Sequence, residues 1–365
     1  MIEVSAGVIS APDGRILICR RGEGRSNAHL WEFPGGKREE GESAADCLVR
    51  ELMEELSLPV TDVREEAEYP HGNIRFTFLT AKTDALPILT EHEDARFVRP
   101  RELLHFDFCP ADVMMARRLA FRLVRHIFWD FDGTLLDSYP AMVRAFVAGA
   151  ADFGIAVTPE RTLSLMKNCL THCCEVVGAE NVVSAGSLAD AFRRHEQFEL
   201  EKGLPPVEGV PEALAQLQAR GVKHYVATHR DLQCRELLEK AGLLKYFSGF
   251  VTKEDGLPRK PAPDMLLHLM QKHGLKPEEC LMVGDRPLDT EAGMAAGVTS
   301  VLLDAEDRFP DGKCDLRIDA PGLLSRLIPV GLSNILYRER IEALTRRSPS
   351  KGTRGTGVAA TLVSS

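Results

Sequence analysis

Residues 127–137, Ile127-Phe128-Trp129-Asp130-Phe131-Asp132-Gly133-Thr134-Leu135-Leu136-Asp137, decide how the larger part of this chain is read. A short apolar strand runs straight into two carboxylates at i and i+2 and then a Gly-Thr turn. That pairing suits covalent phosphoryl transfer: one carboxylate attacks phosphorus and the other protonates the leaving oxygen. An attacking carboxylate beside a phosphate needs charge compensation. Later segments can supply it: Thr228, Lys260 before Pro261, and Asp285 with Asp289 in Gly284-Asp285-Arg286-Pro287-Leu288-Asp289. A lysine and a metal ion together would neutralise the transferring oxygens.

Downstream, strands and helices alternate. Residues 222–227 and 280–283 read as strands, followed by helices from about Asp231 and about Thr290, and 300–303 is the last clear strand. Such alternation predicts a parallel sheet with crossover helices, with ligands gathered at the strand carboxyl ends. No strand is read between about Ser138 and Gly203, so these residues are a helical insert.

Upstream of His126 the pattern differs. Residues 3–10 and 16–20 read as strands around Pro12-Asp13-Gly14, followed by a helix from about Ser43 to Leu56. Further strands are read over 75–80 and 95–99, and Pro110-Ala111-Asp112 opens a helix running to about Leu123. On the helix over 50–56, Glu51, Glu54 and Glu55 are related by i, i+3 and i+4 and share one face, while Arg50 and Glu54 can pair. Carboxylates gathered on one spot repel one another unless a cation neutralises them, and oxygen-only ligands favour Mg²⁺ or Mn²⁺ over zinc. Gly35-Gly36, just before, lets backbone approach a ligand closely.

The chain has 365 residues, 44% of them hydrophobic, enough for two domains with separate cores. A formal net charge of −9 argues against a nucleic-acid polymer as the main ligand and leaves room for metal-bridged nucleotides. There is no apolar run of membrane-spanning length, and residues 1–8 lack the basic start of a signal peptide, so a cytoplasmic location without membrane attachment is expected. The nine cysteines are scattered and read as reduced thiols, mostly buried.

Gly36, Glu42, Arg50, Glu51, Leu52, Glu54, Glu55 and Leu58 match the Nudix box, G-x5-E-x7-R-E-U-x-E-E-x-G-U. The first part of the chain therefore resembles a Nudix hydrolase. The one departure is Ser57, where the family carries Gly, a residue that favours a helix-ending turn. Leu30-Trp31-Glu32-Phe33-Pro34-Gly35-Gly36 further resembles the MutT-type branch. The resemblance implies an α/β/α sandwich with a mixed sheet, and metal ligation by Glu51, Glu54 and Glu55 with Glu91 as a further carboxylate. It also implies a phosphate contact at Arg21 and water attack on a nucleoside triphosphate, ordinary or modified, to give monophosphate and pyrophosphate. The base stays open between Glu54, Glu51 and Glu91. Asp112 falls where this branch reads the nucleobase. Ionised, it would accept from an exocyclic amino group; alternatively it is only the N-cap of its helix.

The segments around Asp130, Thr228, Lys260 and Asp285 resemble, in order, the four motifs of the haloacid-dehalogenase (HAD) phosphatases, and the insert resembles the helical cap of the phosphoglycolate phosphatase-like branch. This implies a Rossmann-like domain with Asp130 as nucleophile, Asp132 as general acid/base, and Thr228 and Lys260 on the phosphate. Mg²⁺ would be held by Asp130, Asp285 and the main-chain carbonyl of Asp132, with Asp289 in support. Met166, Lys167 and Asn168 are candidate cap contacts, and His229 and Arg230 either touch substrate or are loop surface.

The expected organisation is a Nudix domain over 1–124, a HAD domain over 125–330 with its core at 125–137 and 208–330 and its cap at about 138–207, and a disordered tail over 331–365. The expected function is sequential dephosphorylation, with the HAD part acting on the monophosphate or the pyrophosphate. The alternative is an independent phosphatase for a small metabolite, beside a Nudix part acting on another diphosphate-linked compound. Substrates are small nucleotides and phosphate esters, and the oligomeric state is left open.

Overall fold

The computed structural model describes residues 1–328; the basic tail expected to be disordered lies outside them. The chain divides into two compact units, Met1–Leu123 and Val124–Ser325, with Arg326 to Ile328 grouping with the first.

In the first unit, β1 (Ile2–Ser10), β2 (Ile16–Arg20), β3 (Trp31–Glu32) and β4 (Gly35–Lys37) precede helix α1 (Ala44–Leu56). Then come β5 (Thr61–His71), β6 (Ile74–Lys82), β7 (Asp94–Val98) and helix α2 (Val113–Phe121). The sheet runs β3-β2-β1-β6-β5, with β4 on β1 and β7 on β2. It is mixed, as expected: β1 and β6 are parallel and their other neighbours antiparallel. Strand alternation splits the core. Ile9, Leu17 and Leu79 pack on α1 through Leu48, Leu52 and Leu56, whereas Val8, Ile18 and Phe78 share a core with Met115 and Leu119 of α2.

Helix α1 starts at the N-cap Ser43, whose hydroxyl oxygen accepts from Asp46 N–H at 3.1 Å, and ends at Ser57. Ser57 takes the left-handed conformation, φ 46°, that the family's glycine adopts without cost, and Leu58 N–H closes on Leu52 O at 3.1 Å. The turn is thus kept, at the expense of a strained serine. We expect Ser57→Gly to stabilise the first unit by roughly 0.5–1 kcal/mol, the left-handed penalty relieved less the added freedom of the unfolded chain, read by urea denaturation.

The second unit begins with β8 (His126–Trp129), followed by four helices, α3 (Tyr139–Ala151), α4 (Pro159–Asn168), α5 (Leu170–Asn181) and α6 (Ala185–Glu201). Then follow α7 (Val210–Gln218), β9 (Lys223–Ala227), α8 (Gln233–Lys240), β10 (Phe247–Val251), α9 (Asp264–His273), β11 (Cys280–Gly284), α10 (Pro287–Ala295), β12 (Thr299–Leu303) and β13 (Leu316–Ile318). The sheet is parallel throughout, in the order β10-β9-β8-β11-β12-β13. Its direction of winding reverses between β8 and β11, the place where ligands bind in open α/β sheets.

Helices α3–α6 form the helical insert with a core of their own, including Phe146, Met166, Cys173, Val177 and Phe192. The two passages between sheet and insert are bonded to each other: Asp137 N–H donates to Pro205 O at 2.9 Å and Val207 N–H to Leu135 O at 3.0 Å.

Five strands escaped the sequence reading, among them the two- and three-residue β3 and β4. β5 pairs only with β6 and is mostly exposed, so its residues, TDVREEAEYPH, are polar and charged without a clean alternation. β10 and β13 are outer strands of five and three residues. Helix α10 begins earlier than Thr290, because Pro287 sits in its first turn and Asp289 Oδ2 accepts Arg286 N–H at 3.3 Å.

All nine cysteines are free; seven are buried, Cys314 is half-buried and Cys169 is exposed. Among the described residues no helix is long and apolar enough to cross a membrane.

Candidate active sites

In the first unit α1 turns its polar face to the loops around β4. Arg50 gathers that face. Its guanidinium donates to Glu42 at 2.9 and 3.1 Å, to Glu51 at 3.0 Å, to Glu54 at 3.1 Å and to Lys37 O at 3.2 Å. Hydrogen bonding from Arg50 holds the Glu42 carboxyl down at about 2. The pairing of Arg50 with Glu54 expected from their spacing is present. Gly36 is required by close approach: a Cβ there would lie 2.2 Å from the Glu51 carboxyl carbon, and at Gly35 2.0 Å from Ser5 O.

Glu55 faces a different neighbourhood. Its carboxylate is 3.8 Å from His92 Nε2 and 3.8 Å from Arg25, and burial raises its pKa. Arg25 also pairs with Glu91. Glu51 and Glu54 are therefore joined through Arg50, and Glu55 and Glu91 through Arg25. These four do not form a set of oxygens all within 4.8 Å of one another. Arg21 is bound to Glu32 and to Ser26 O at 2.8 Å, so the expected phosphate contact is engaged by a carboxylate. Glu32 in turn lies 3.3 Å from the buried His92. The sequence reading missed Arg25, Glu32 and His92. Glu32 stood inside the quoted entry segment, whereas Arg25 lies in an aperiodic loop that gives no direction.

Asp112 is buried; it stands at the N-cap position of α2, but its side chain makes no capping bond there. Oδ1 instead accepts a long bond, 3.4 Å, from Phe33 N–H, beside the stacked rings of Phe33 and Phe108. Burial, and then the charge of Glu32, push its pKa up to about 8. A carboxyl raised that far would be mostly protonated at neutral pH and would then present a donor as well as an acceptor.

The sign of the resulting pH dependence follows from linkage. A carboxyl raised from about 3.9 to about 8 leaves the unfolded chain with fewer bound protons, so stability falls as pH rises between those values and then levels off. We expect Asp112→Asn to remove this slope. Its stability advantage over wild type would grow by up to roughly 1.4 kcal/mol per pH unit between pH 5 and 8, read by hydrogen exchange within residues 1–119.

In the second unit three strand ends converge. β8 delivers Asp130, β9 delivers Thr228 and β11 delivers Asp285, while the first turn of α10 brings Asp289. Oxygens of Asp130, Asp285 and Asp289 lie within 4.8 Å of one another, and all three residues are buried. Lys260 Nζ contacts both Asp130 Oδ1 and Asp289 Oδ1 at 2.5 Å and donates to Ala227 O at 2.9 Å. Burial raises the Asp130 pKa, but Lys260 and Arg286 outweigh it and hold the carboxyl below its usual range. Burial, and then Asp130, push Asp289 up to about 7. Asp130 Oδ2 is buried without a hydrogen-bond partner. An all-oxygen set with a free carboxylate oxygen fits a hard divalent cation.

The remaining candidates are distributed around this set. The Asp132 carboxylate is held by Arg230 Nε at 2.7 and 2.9 Å, and Arg230 also donates to Glu196 of α6 at 3.0 Å. Arg230 is therefore a strut between sheet and insert, not loop surface. Thr228 Oγ1 accepts Arg230 N–H at 3.1 Å. His229 Nε2 accepts Lys260 N–H at 2.9 Å, and burial, with Lys260, depresses its pKa to about 3, so a neutral ring fixes the lysine's backbone.

Met166 lies in the core of the insert, which removes it as a surface contact. Lys167 reaches out of the insert to Asp285 at 3.0 Å, and the side chain of Asn168 lies outside the described residues.

Comparison with known proteins gives a family to each unit. Residues 1–119 match the family model of the NUDIX domain, and residues 127–303 that of haloacid dehalogenase-like hydrolases. Hexitol phosphatase A of Escherichia coli (strain K12) is 31% identical over 186 residues, 50% of this chain and 84% of that protein. The phosphoglycolate phosphatase of Yersinia pseudotuberculosis is 30% identical over 193 residues, 50% of this chain and 82% of its own. Pyrophosphatase PpaX of Oceanobacillus iheyensis is 28% identical over 181 residues, 49% and 83% respectively. Carboxylates in order at the ends of parallel strands and a matching family model over the same residues lead to one assignment: the chain is a hydrolase that belongs to the haloacid dehalogenase-like hydrolases through residues 127–303 and carries a NUDIX domain over residues 1–119.

Proposed function

We propose that the two units carry out successive hydrolyses. The Nudix unit would cleave a nucleoside triphosphate, ordinary or modified, to monophosphate and pyrophosphate, and the HAD unit would remove phosphate from the monophosphate or split the pyrophosphate. The observation that carries the phosphatase half is the free, buried Oδ2 of Asp130 beside Lys260. In the proposed reaction Asp130 attacks phosphorus, the bond to the leaving oxygen breaks, and Asp132 protonates that oxygen. Asp132 then takes a proton from the water that hydrolyses the aspartyl phosphate, and Asp130 is regenerated with release of orthophosphate. Lys260 and Thr228 hold the transferring oxygens. Arg230 orients Asp132.

The group implied in both units is a divalent cation, magnesium with manganese as substitute. It would be held by Asp130, Asp285 and the Asp132 carbonyl with Asp289 in support, and in the Nudix unit by Glu51, Glu54, Glu55 and Glu91, which would have to exchange Arg50 and Arg25 for the ion to converge on it, and it would supply charge neutralisation to phosphate oxygens. In the Nudix unit we assign the water-activating base to Glu54. Its side chain is 59% exposed, against 14% for Glu51, so water reaches it, and Arg50 fixes it. Gly35 and Gly36 admit the substrate's phosphates, and Arg21 contacts them once it exchanges Glu32 for phosphate. Protonated Asp112 reads the base through a donor and acceptor pair. An amide offers the same pair, so a protonated Asp112 would not by itself select an amino-bearing base. The expected location is the cytoplasm.

A second reading has its own support. The relatives named for hexitol phosphate and phosphoglycolate favour an independent small-metabolite phosphatase, whereas the relative named as a pyrophosphatase favours the coupled pathway. Phosphorus NMR of the full chain with Mg²⁺ and a panel of nucleoside triphosphates decides between them. Monophosphate or pyrophosphate that forms and then decays to orthophosphate supports coupling; persistence of both assigns the HAD unit to another ester.

A further inference from the structure

Lys167 sits near the end of α4, in the helical insert, yet its ammonium lies 3.0 Å from Asp285 Oδ2. The same oxygen accepts the Tyr139 hydroxyl at 2.9 Å, and Lys167 Nζ stands 3.5 Å from the centroid of the Tyr139 ring. The lysine side chain is only 14% exposed. Lys260 contacts Asp130 and Asp289, and no contact to Asp285 is formed by it. The nearest cation to the third carboxylate of the set therefore comes from the insert, with Arg286 Nε farther off, 4.0 Å from Asp285 Oδ1. Lys167, Tyr139 and Asp285 also line a cavity of about 920 Å³, which gives the ammonium somewhere to go.

We propose that Lys167 is a positioning residue that serves as a built-in surrogate cation on Asp285, and that it yields this carboxylate to a divalent ion and turns into the adjoining cavity. The inference rests on the reading of Asp285 as a metal carboxylate. The physical reason is competition. An ammonium and a divalent ion cannot both sit against one buried oxygen without strong repulsion, because the interior screens charge poorly. Metal affinity is then set partly by how readily the insert gives up its hold, and occupancy of the site loosens one of the contacts tying the insert to the sheet. The contact from Arg230 to Glu196 is independent of it and keeps the insert attached.

The test is Mn²⁺ binding to the full chain, followed by the EPR signal of free Mn²⁺. A Glu51→Gln/Glu54→Gln/Glu55→Gln/Glu91→Gln background removes the four carboxylates proposed for the cation of the other unit. Lys167→Met, similar in length and neutral, is expected to bind Mn²⁺ at least about tenfold more tightly. Lys167→Arg, which keeps the charge, is expected to stay within about twofold of the parent. Unchanged or weaker binding in Lys167→Met overturns the proposal, as does equal tightening in Lys167→Arg. A merely structural lysine would not tighten metal binding when removed. Asp285→Asn separates the two levels of inference. If it loses Mn²⁺ binding, the metal reading holds and the lysine variants decide the proposal; if it binds as the parent does, the metal reading of Asp285 fails and the proposal falls with it.

Discussion

Asp130→Asn is expected to abolish phosphate release from monoesters or pyrophosphate by about 10⁴-fold or more while leaving triphosphate cleavage intact. The amide cannot form the acyl phosphate, and it also loses the charge that Lys260 holds in place. Lys260 would remain on Asp289, so the fold around β8 should survive with one buried contact fewer. The measurement is phosphorus NMR over time with one triphosphate. The variant should accumulate monophosphate and pyrophosphate at the wild-type rate of triphosphate loss. Equal end products in variant and wild type, with neither intermediate building up, would sink the coupled pathway.

Glu54→Gln is expected to show the complementary failure: triphosphate cleavage falls by about 10²–10⁴-fold, mainly in kcat and without recovery at saturating Mg²⁺, while hydrolysis of an added monoester is unchanged. The neighbours argue for a clean result. Arg50 retains Glu42 and Glu51 when Glu54 is neutralised, so the helix and its loop stay pinned. Glu51→Gln should behave differently, since that carboxylate is packed under Gly36 and pairs with Arg50. Its loss should raise the metal concentration required for activity. Steady-state kinetics against Mg²⁺ concentration separates the two. A Glu54→Gln enzyme of undiminished kcat would move the base assignment to Glu51 or Glu91.

What could be read in advance depended on where a residue sat along the chain. Asp130, Thr228 and Asp285 each follow an apolar strand, and a parallel sheet brings strand ends together without knowledge of loops. Glu51, Glu54 and Glu55 were legible for the same kind of reason, since helical spacing alone fixes a shared face. The partners that set the charge of these groups were not. Arg230 and Asp132 are 98 residues apart, Lys167 and Asp285 118, and Arg25 and Glu91 66, and no local period encodes such meetings. Asp112 shows the limit differently. Its position was readable, but its protonation depends on burial and on Glu32, which only the packed structure supplies. Strand β5 was hidden by polarity, because an edge strand facing water has little apolar pattern to show.

The paired passages at Asp137–Pro205 and Leu135–Val207 carry a mechanical consequence. Two chains cross-bonded side by side behave as a ribbon: they flex readily across their flat face and resist twisting about their length. With Pro205 and Pro206 stiffening one edge, the four-helix lobe has essentially one direction in which to tilt, like a leaf hinge rather than a ball joint. Any tilt so guided would bring Lys167 and Glu196 back to the same two partners without a search.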